Sequence, residues 1–338
     1  MLGALCQASH KSKDTEGKED SAGPKVADTD RITADEVNKP QGWTVSIGYR
    51  FQPSSRHFVG SVEQKQREIA HNQVQNVIHL FDLSVERQIS RRWALDFSIP
   101  FAHEYRDQGN RLFRTTGFGD MTVGARYWIF RPPTENGGNI AVGMSLKLPT
   151  GKDNSTGSPV SKQTGQAVTT ALADQSIQLG DGGVGFSVDM QAYRPLKFGT
   201  MGYVAGSYLF NPRETNGVPT GRSKAGEEVM SVSDQYLARA GLAHAWPGLP
   251  IVITMGLRME GVPVRDMLGG SYGFRRPGYA VSGDPGFLVS VKGNVFSCNV
   301  PWAIYRKRPR SVADLTVGGA GDAAFADFLV TIGYSRRF

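Results

Sequence analysis

A chain of 338 residues has room for one large domain or two smaller ones, with a sizeable core, and 39% of it is hydrophobic. No run approaches the about 18 consecutive apolar residues of a membrane helix, which excludes a helical span but not a strand-built one, where only every second residue meets lipid. The formal charge of +7 is scattered without a nucleic-acid module, and Cys6 and Cys298 match neither a metal spacing nor a disulfide framework, so no cofactor or metal is expected.

Residues 1–41 stand apart. Met1 to Cys6 is apolar but too short for a secretory h-region, so it reads as the remnant of a signal peptide. Leu5 is bulkier than the residue that lipoprotein processing prefers before a cysteine such as Cys6. Residues 7–40 are polar and free of Phe, Tyr and Trp, the composition of a disordered leader.

From Gly42 to Phe338 the chain repeats one grammar, alternation with a period of two. Trp43, Val45, Ile47, Tyr49 and Phe51 oppose Thr44, Ser46, Gly48 and Arg50. A second strand, about 76–89, sets Val77, Phe81, Leu83 and Val85 against Asp82, Ser84 and Glu86, with His79 breaking the apolar row. The third sets Trp93, Leu95, Phe97, Ile99 and Phe101 against Asp96, Ser98 and Glu104. The fourth, from Gly117, sets Met121, Val123, Ala125, Tyr127 and Ile129 against Asp120, Thr122, Gly124 and Arg126. The fifth sets Ile140, Val142, Met144, Leu146 and Leu148 against Gly143, Ser145 and Lys147. The sixth sets Val184, Phe186, Val188 and Met190 against Ser187, Asp189 and Gln191.

The seventh, near 201–211, is rich in Gly and Tyr and its facing is ambiguous. Tyr236, Ala238, Ala240 and Leu242 then oppose Gln235, Arg239 and Gly241; Ile251, Ile253, Met255, Leu257 and Met259 oppose Thr254, Gly256, Arg258 and Glu260. The tenth strand carries Phe287, Val289 and Val291. The eleventh carries Phe296, Cys298, Val300, Trp302 and Ile304, weakened by Pro301, which has no N–H to donate. The twelfth ends the chain, with Phe328, Val330, Ile332, Tyr334 and Phe338 on one face and Leu329, Thr331, Gly333, Ser335 and Arg337 on the other.

The connections alternate in length. Those at 53–75, 150–180, 212–231, 262–284 and 307–325 are long and that at 107–116 is moderate. Those at 90–92, 131–137, 195–200, 246–250 and 293–294 are short. Sorted loops and an even strand count predict an all-β fold, a transmembrane antiparallel up-and-down barrel of about twelve strands, with short periplasmic turns and long outer loops. A soluble sandwich has no reason to sort its loops. In this topology Trp43, Trp93, Trp128 and Trp246 fall near the periplasmic rim as an interfacial girdle, leaving Trp302 toward the other end.

Three pieces, Gly117-Phe-Gly-Asp120 running into Gly124-Ala-Arg-Tyr127, Leu146-Lys-Leu-Pro-Thr-Gly151, and the terminal Phe338, resemble a Gram-negative outer-membrane family labelled after the meta-pathway of phenol degradation. The resemblance covers 42–338. It implies a porin-like barrel in the bacterial outer membrane that passes small, often hydrophobic or aromatic, solutes. It also implies recognition of the strand ending in Phe338 by the barrel-insertion machinery.

If the apolar rows meet lipid, the polar rows line the interior. The expected pore-lining residues are Arg50, Asp82, Glu86, Asp96, Asp120, Arg126, Lys147, Asp189, Arg239 and Arg258, joined by Glu104, Arg106 and Glu260. Rings of charge set ion preference and a constriction, for which Arg126 and Asp189 are the first candidates. Salt bridges filling a narrow barrel would use the same residues. A catalytic alternative is a barrel-borne lipid hydrolase with His103 at the outer rim, although no serine accompanies it. A third alternative is a non-conducting structural or surface-interaction barrel. On the outer loops Arg56, Lys65, Arg67, Arg265, Arg275, Arg276, Lys307, Arg308 and Arg310 are candidate contacts for lipopolysaccharide phosphates, beside general contact of the barrel with membrane lipid.

Overall fold

The computed structural model describes residues 42–132, 134 and 137–338, so the expected leader lies outside the described residues. Strand β1 is Gly42–Val59, β2 Gln75–Gln88 and β3 Trp93–Asp107; β4 runs in two segments, Arg111–Phe118 and Thr122–Trp128. β5 is Asn139–Lys147, β6 Gly185–Pro195, β7 Thr200–Phe210, β8 Gln235–Ala245 and β9 Ile251–Val262. The last three are also broken: β10 (Gly278–Gly283, Gly286–Val291), β11 (Asn294–Asn299, Trp302–Lys307) and β12 (Ala323–Ala326, Val330–Arg337). Each strand pairs antiparallel with the next, and β12 returns to β1 with Gly48 opposite Gly333 and Arg50 opposite Thr331. The result is a closed barrel of twelve strands. Closure gives every wall strand two neighbours for its N–H and C=O groups, the condition for crossing lipid.

Register and exposure assign the faces. Gly48 is opposite Asp82 and Asp82 opposite Pro100, so those positions share the inner face. The alternate rows are open to the outside: Leu83, Leu95, Val123, Met144, Ile253, Met255 and Leu257 are all exposed. β7 is settled by pairing Tyr203 with Gly241 and Ala205 with Arg239, which sets Tyr203, Ala205 and Ser207 inward.

Several boundaries differ from the sequence reading. Residues 107–116 are not a loop: a three-residue turn, 108–110, leads directly into the first segment of β4. Arg111, Arg114, Thr115 and Thr116 dilute its apolar row, which hides the strand. Likewise, β1 continues to Val59, and Gly278–Gly283 belong to the wall. Pro301 does interrupt β11, yet its carbonyl accepts the Leu329 N–H at 2.9 Å, so the ladder to β12 resumes past the break.

Trp128 is not in the girdle. Its parity follows Arg126, so it turns inward and is 5% exposed, packed with Ala141, Tyr193, Met201, Tyr203, Val252 and Leu288. The interior near the short turns is therefore apolar along one wall, where polar side chains were expected. Trp43, Trp93 and Trp246 remain outside and about half exposed. At the long-loop end a second belt closes around the barrel, built of Phe, Tyr and His more than Trp. Trp302 stacks on Phe328 at 5.6 Å, Phe328 meets Phe51 at 6.2 Å, Phe51 meets His79 at 5.2 Å and His79 meets His103 at 6.2 Å. On the opposite side Tyr208 links Phe210 at 4.6 Å and Tyr236 at 6.5 Å.

Candidate functional site

The interior holds a cavity of about 340 Å³ lined by Arg50, Asp82, Tyr203, Arg239, Thr254 and Asn299, with Leu80 and Leu288 as apolar members. Arg50 comes from β1, Asp82 from β2, Tyr203 from β7, Arg239 from β8, Thr254 from β9 and Asn299 from β11, so residues far apart in sequence converge by closure of the barrel.

The charges sort into two groups. Arg50 and Arg258 converge on Glu260 at 3.1 and 2.6 Å, and Arg239 binds Asp284 at 2.5 Å. Among the described residues this side carries three guanidiniums and, with Asp82, three carboxylates. Toward the short turns Arg126 bonds Glu86, with Asp96 and Asp189 both within its electrostatic reach and Arg337 within reach of Glu86. Asp82 accepts from the Ser98 hydroxyl and forms no salt bridge among the described residues.

Two glycines make room for the carboxylates. Gly124 is opposite Asp96 and Gly143 opposite Asp189; a Cβ at either would lie 2.8 Å or less from the carboxylate oxygens. The aspartates therefore lie flat against the neighbouring strand, and alanine at either glycine would push the carboxylate toward the lumen.

The structure thus brings together Arg50, Asp82, Arg239 and Arg258 in one region and Glu86, Asp96, Arg126 and Asp189 in another. Asp120 and Lys147 do something else. The Asp120 carboxylate accepts the Gly151 N–H at 2.9 Å and the Asp181 N–H at 3.3 Å. Lys147 lies 3.6 Å from it and also bonds Asp181. Together with the Thr150 hydroxyl, which accepts from the Met121 N–H at 2.9 Å, they tie the break in β4 to the ends of β5 and β6. Their contacts belong to the wall.

At the long-loop end residues 174–177 fold over the mouth. Asp174 caps the short helix Gln175–Ile177 by accepting the Ser176 N–H. Its carboxylate meets Arg276 at 2.9 Å and Arg106, on the inner face of β3, at 3.6 Å. Thr115 donates to the Ile177 carbonyl at 2.7 Å, and Ile177 is fully buried. Burial alone would raise the Asp174 carboxyl, but the guanidiniums of Arg276 and Arg106 hold it well below the usual carboxylate range.

The same loops consume most of the arginines expected to reach lipopolysaccharide. Arg275 is 1% exposed, forked onto Asp266 at 2.8 and 2.6 Å and donating to Ser231. Arg276 is on Asp174, Arg308 is buried 3.7 Å from Asp314, and Arg310 donates to the Asp314 carbonyl. These four cations, like Arg56 on Glu63 and Arg67 on Asp322, found internal acceptors, whereas Lys65, Arg265 and Lys307 remain exposed.

His103 is on the outer face, as its parity requires. Its Nδ1 is 2.7 Å from the Thr116 hydroxyl, and the opposite residue across the ladder is His79, whose Nδ1 is 2.9 Å from the Tyr49 hydroxyl. Among the described residues no serine and no carboxylate bonds to it. Of the residues missed by sequence reasoning, Tyr203 lay in the strand of ambiguous facing, and Asp174 and Asp284 lay in assumed loops.

No family model matches the chain, and no curated protein does. Among solved structures, the β-domain of the Bordetella autotransporter BrkA aligns at 12% identity and TM-score 0.47, covering 89% of this chain and 100% of its own. The translocator domain of the autotransporter NalP from Neisseria meningitidis aligns at 12% and 0.45, covering 88% of each chain. Both are too distant to carry an argument. An outer-membrane channel from Pseudomonas putida F1 aligns at 12% identity and TM-score 0.60, over 94% of this chain and 100% of that one. At that identity the likeness shows the fold, a closed antiparallel barrel of the kind that outer-membrane channels adopt.

Proposed function

We propose that the protein is a bacterial outer-membrane channel that passes small solutes through the barrel interior, with the short turns in the periplasm and the long loops outside. The observation that carries this reading is the cavity among Arg50, Asp82, Tyr203 and Arg239 inside a closed, outwardly apolar barrel. A protein that merely filled its interior with salt bridges would have no such space. The pore-lining role belongs to Arg50, Asp82, Glu86, Asp96, Arg126, Asp189, Arg239 and Arg258. Asp120 and Lys147 border the lumen as wall supports.

Small hydrophobic or aromatic solutes are the favoured cargo. The apolar inner wall of Trp128, Tyr193, Met201 and Leu288 supports this, as does the resemblance to the meta-pathway family. Phe338 stands two-thirds exposed with its N–H on the Trp43 carbonyl, a terminal strand end accessible to insertion machinery. Among the described residues no serine or carboxylate hydrogen-bonds His103, which favours a channel over a hydrolase.

Single-channel recording in planar bilayers tests the reading. Discrete conductance steps are expected; a barrel that inserts and never conducts would be a structural one.

A further inference from the structure

At the long-loop end Arg275 and Arg276 pair with Asp266 and Asp174. At the short-turn end a set of cations has no carboxylate partner among the described residues. Arg91, Arg131, Arg194, Lys197 and Arg336 are exposed, and Arg87 is half-buried against the face of Trp43, its Cζ 4.6 Å from the ring centre. None of these six forms an ion pair among the described residues, and the described residues of the turns at this end include no Asp or Glu. Glu86 and Asp96 are on the inner face, beside Arg126. Between the cations stand Trp43, Trp93 and Trp246, about half exposed, and Phe198, 90% exposed at the tip of the turn 196–199.

We infer that this rim is a binding surface for anionic phospholipid headgroups. The inference rests on the barrel spanning a membrane. Exposed tryptophans mark the depth at which hydrocarbon gives way to headgroups, and a long Lys or Arg stem lies along the apolar wall while its charge reaches the phosphates. A phosphodiester there meets guanidiniums that no carboxylate of the described residues engages, and the apolar tip of Phe198 enters the acyl boundary beside it. An acidic protein partner would find the same charge, but the tryptophans stand on the outer face of the barrel wall, where a spanning barrel meets the bilayer interface.

The test uses the full chain in a Trp302→Phe background, so that the outward-facing tryptophans report from this end. It is reconstituted in mixtures of phosphatidylcholine and phosphatidylglycerol, with each lipid brominated in turn to quench tryptophan fluorescence. Brominated phosphatidylglycerol is expected to compete for the rim about fivefold better than brominated phosphatidylcholine, since one Lys or Arg near the surface favours an anionic lipid by about that factor. The preference should fade toward parity in about 0.5 M salt, where screening is short-ranged. Arg91→Gln/Arg131→Gln/Arg194→Gln/Lys197→Gln should abolish it, whereas Lys65→Gln/Arg265→Gln at the other end should leave it intact. The salt titration on the otherwise unaltered chain decides the matter even if the quadruple variant does not fold. Strong but equal quenching by both lipids would overturn the inference while keeping the barrel in the membrane. No quenching by either would remove the membrane reading itself.

Discussion

Asp174 and Arg276 meet at 2.9 Å although 102 residues separate them, one on the helix that folds over the mouth and the other on the loop between β9 and β10. Arg106 adds a contact from the barrel wall at 3.6 Å. The carboxylate is thus the point where a loop is fastened to both its neighbour and the inner face of β3. Asp174→Ala leaves two guanidiniums facing each other and removes the N-cap of the short helix. A charge-assisted bond of this kind contributes about 2 kcal/mol, so the segment should open roughly thirtyfold more often. Limited proteolysis within 150–180 should speed up accordingly, and mean single-channel current should rise.

The pH dependence of that fastening has a definite sign. A carboxylate held below its ordinary value, about 3.9, contributes its full stability above that pH and loses it as pH falls through the lower folded value. Asp314 belongs to the same class: burial would raise it, but the Lys224 ammonium and the N–H groups of Ser311 and Gly321 draw it down. The part of the proteolysis rate that these two carboxylates control should therefore be flat between about pH 8 and 5 and change only below about pH 4. A transition centred near pH 6 would mean that another group controls the mouth.

Within the lumen, Arg126 is the one guanidinium bonded to Glu86 and within electrostatic reach of Asp96 and Asp189. Arg126→Gln should make the channel more cation-preferring, and Asp189→Asn should move it the other way. The zero-current potential across a potassium chloride gradient reads both shifts, which should be opposite in sign. If replacing both residues with Ala changes neither this potential nor the conductance, the constriction lies elsewhere.

His103 offers a separate check. Its imidazole shares a hydrogen bond with a threonine hydroxyl, and no acid or amide orients its other nitrogen. His103→Ala should leave ester hydrolysis at the level of the empty bilayer, with conductance unchanged. Hydrolysis that disappears with the histidine would reverse the assignment.

The period-two rows made the strands, the sorted loops and most inward charges legible, because alternation survives whatever packs against it. The misses share a physical origin. The first segment of β4 crosses the wall with Arg111, Arg114 and three threonine or glycine positions, so no apolar row announced it. Trp128 followed the parity of Arg126, yet tryptophan's preference for interfaces outweighed parity in the reading. The outer belt was invisible to a count of tryptophans because Tyr, Phe and His supply it. The fates of Arg275, Arg276 and Arg308 depend on Asp266, Asp174 and Asp314, partners that only the folded loops bring near.

The wall knot around Asp120 gives a prediction that separates crowding from glycine content. Gly151 and Gly180 face each other so closely that a Cβ on Gly151 would lie 2.6 Å from the Leu179 carbonyl oxygen. One on Gly180 would lie 2.6 Å from the Gly151 carbonyl oxygen and 2.7 Å from Asp120 Oδ1. Backbone cannot give way there without breaking the bonds that Asp120 makes to the Gly151 and Asp181 N–H groups. Gly151→Ala and Gly180→Ala should each cost about 1–3 kcal/mol through overpacking, more where the Asp120 bonds are lost. Gly48, on the inner face of β1, meets nothing nearer than 3.6 Å, so Gly48→Ala is ordinary contact and should be tolerated. Unfolding midpoints in urea, followed by tryptophan fluorescence in detergent, should rank the three variants in that order. Equal midpoints would mean that strand continuity through 119–121, rather than the knot, holds this part of the barrel closed.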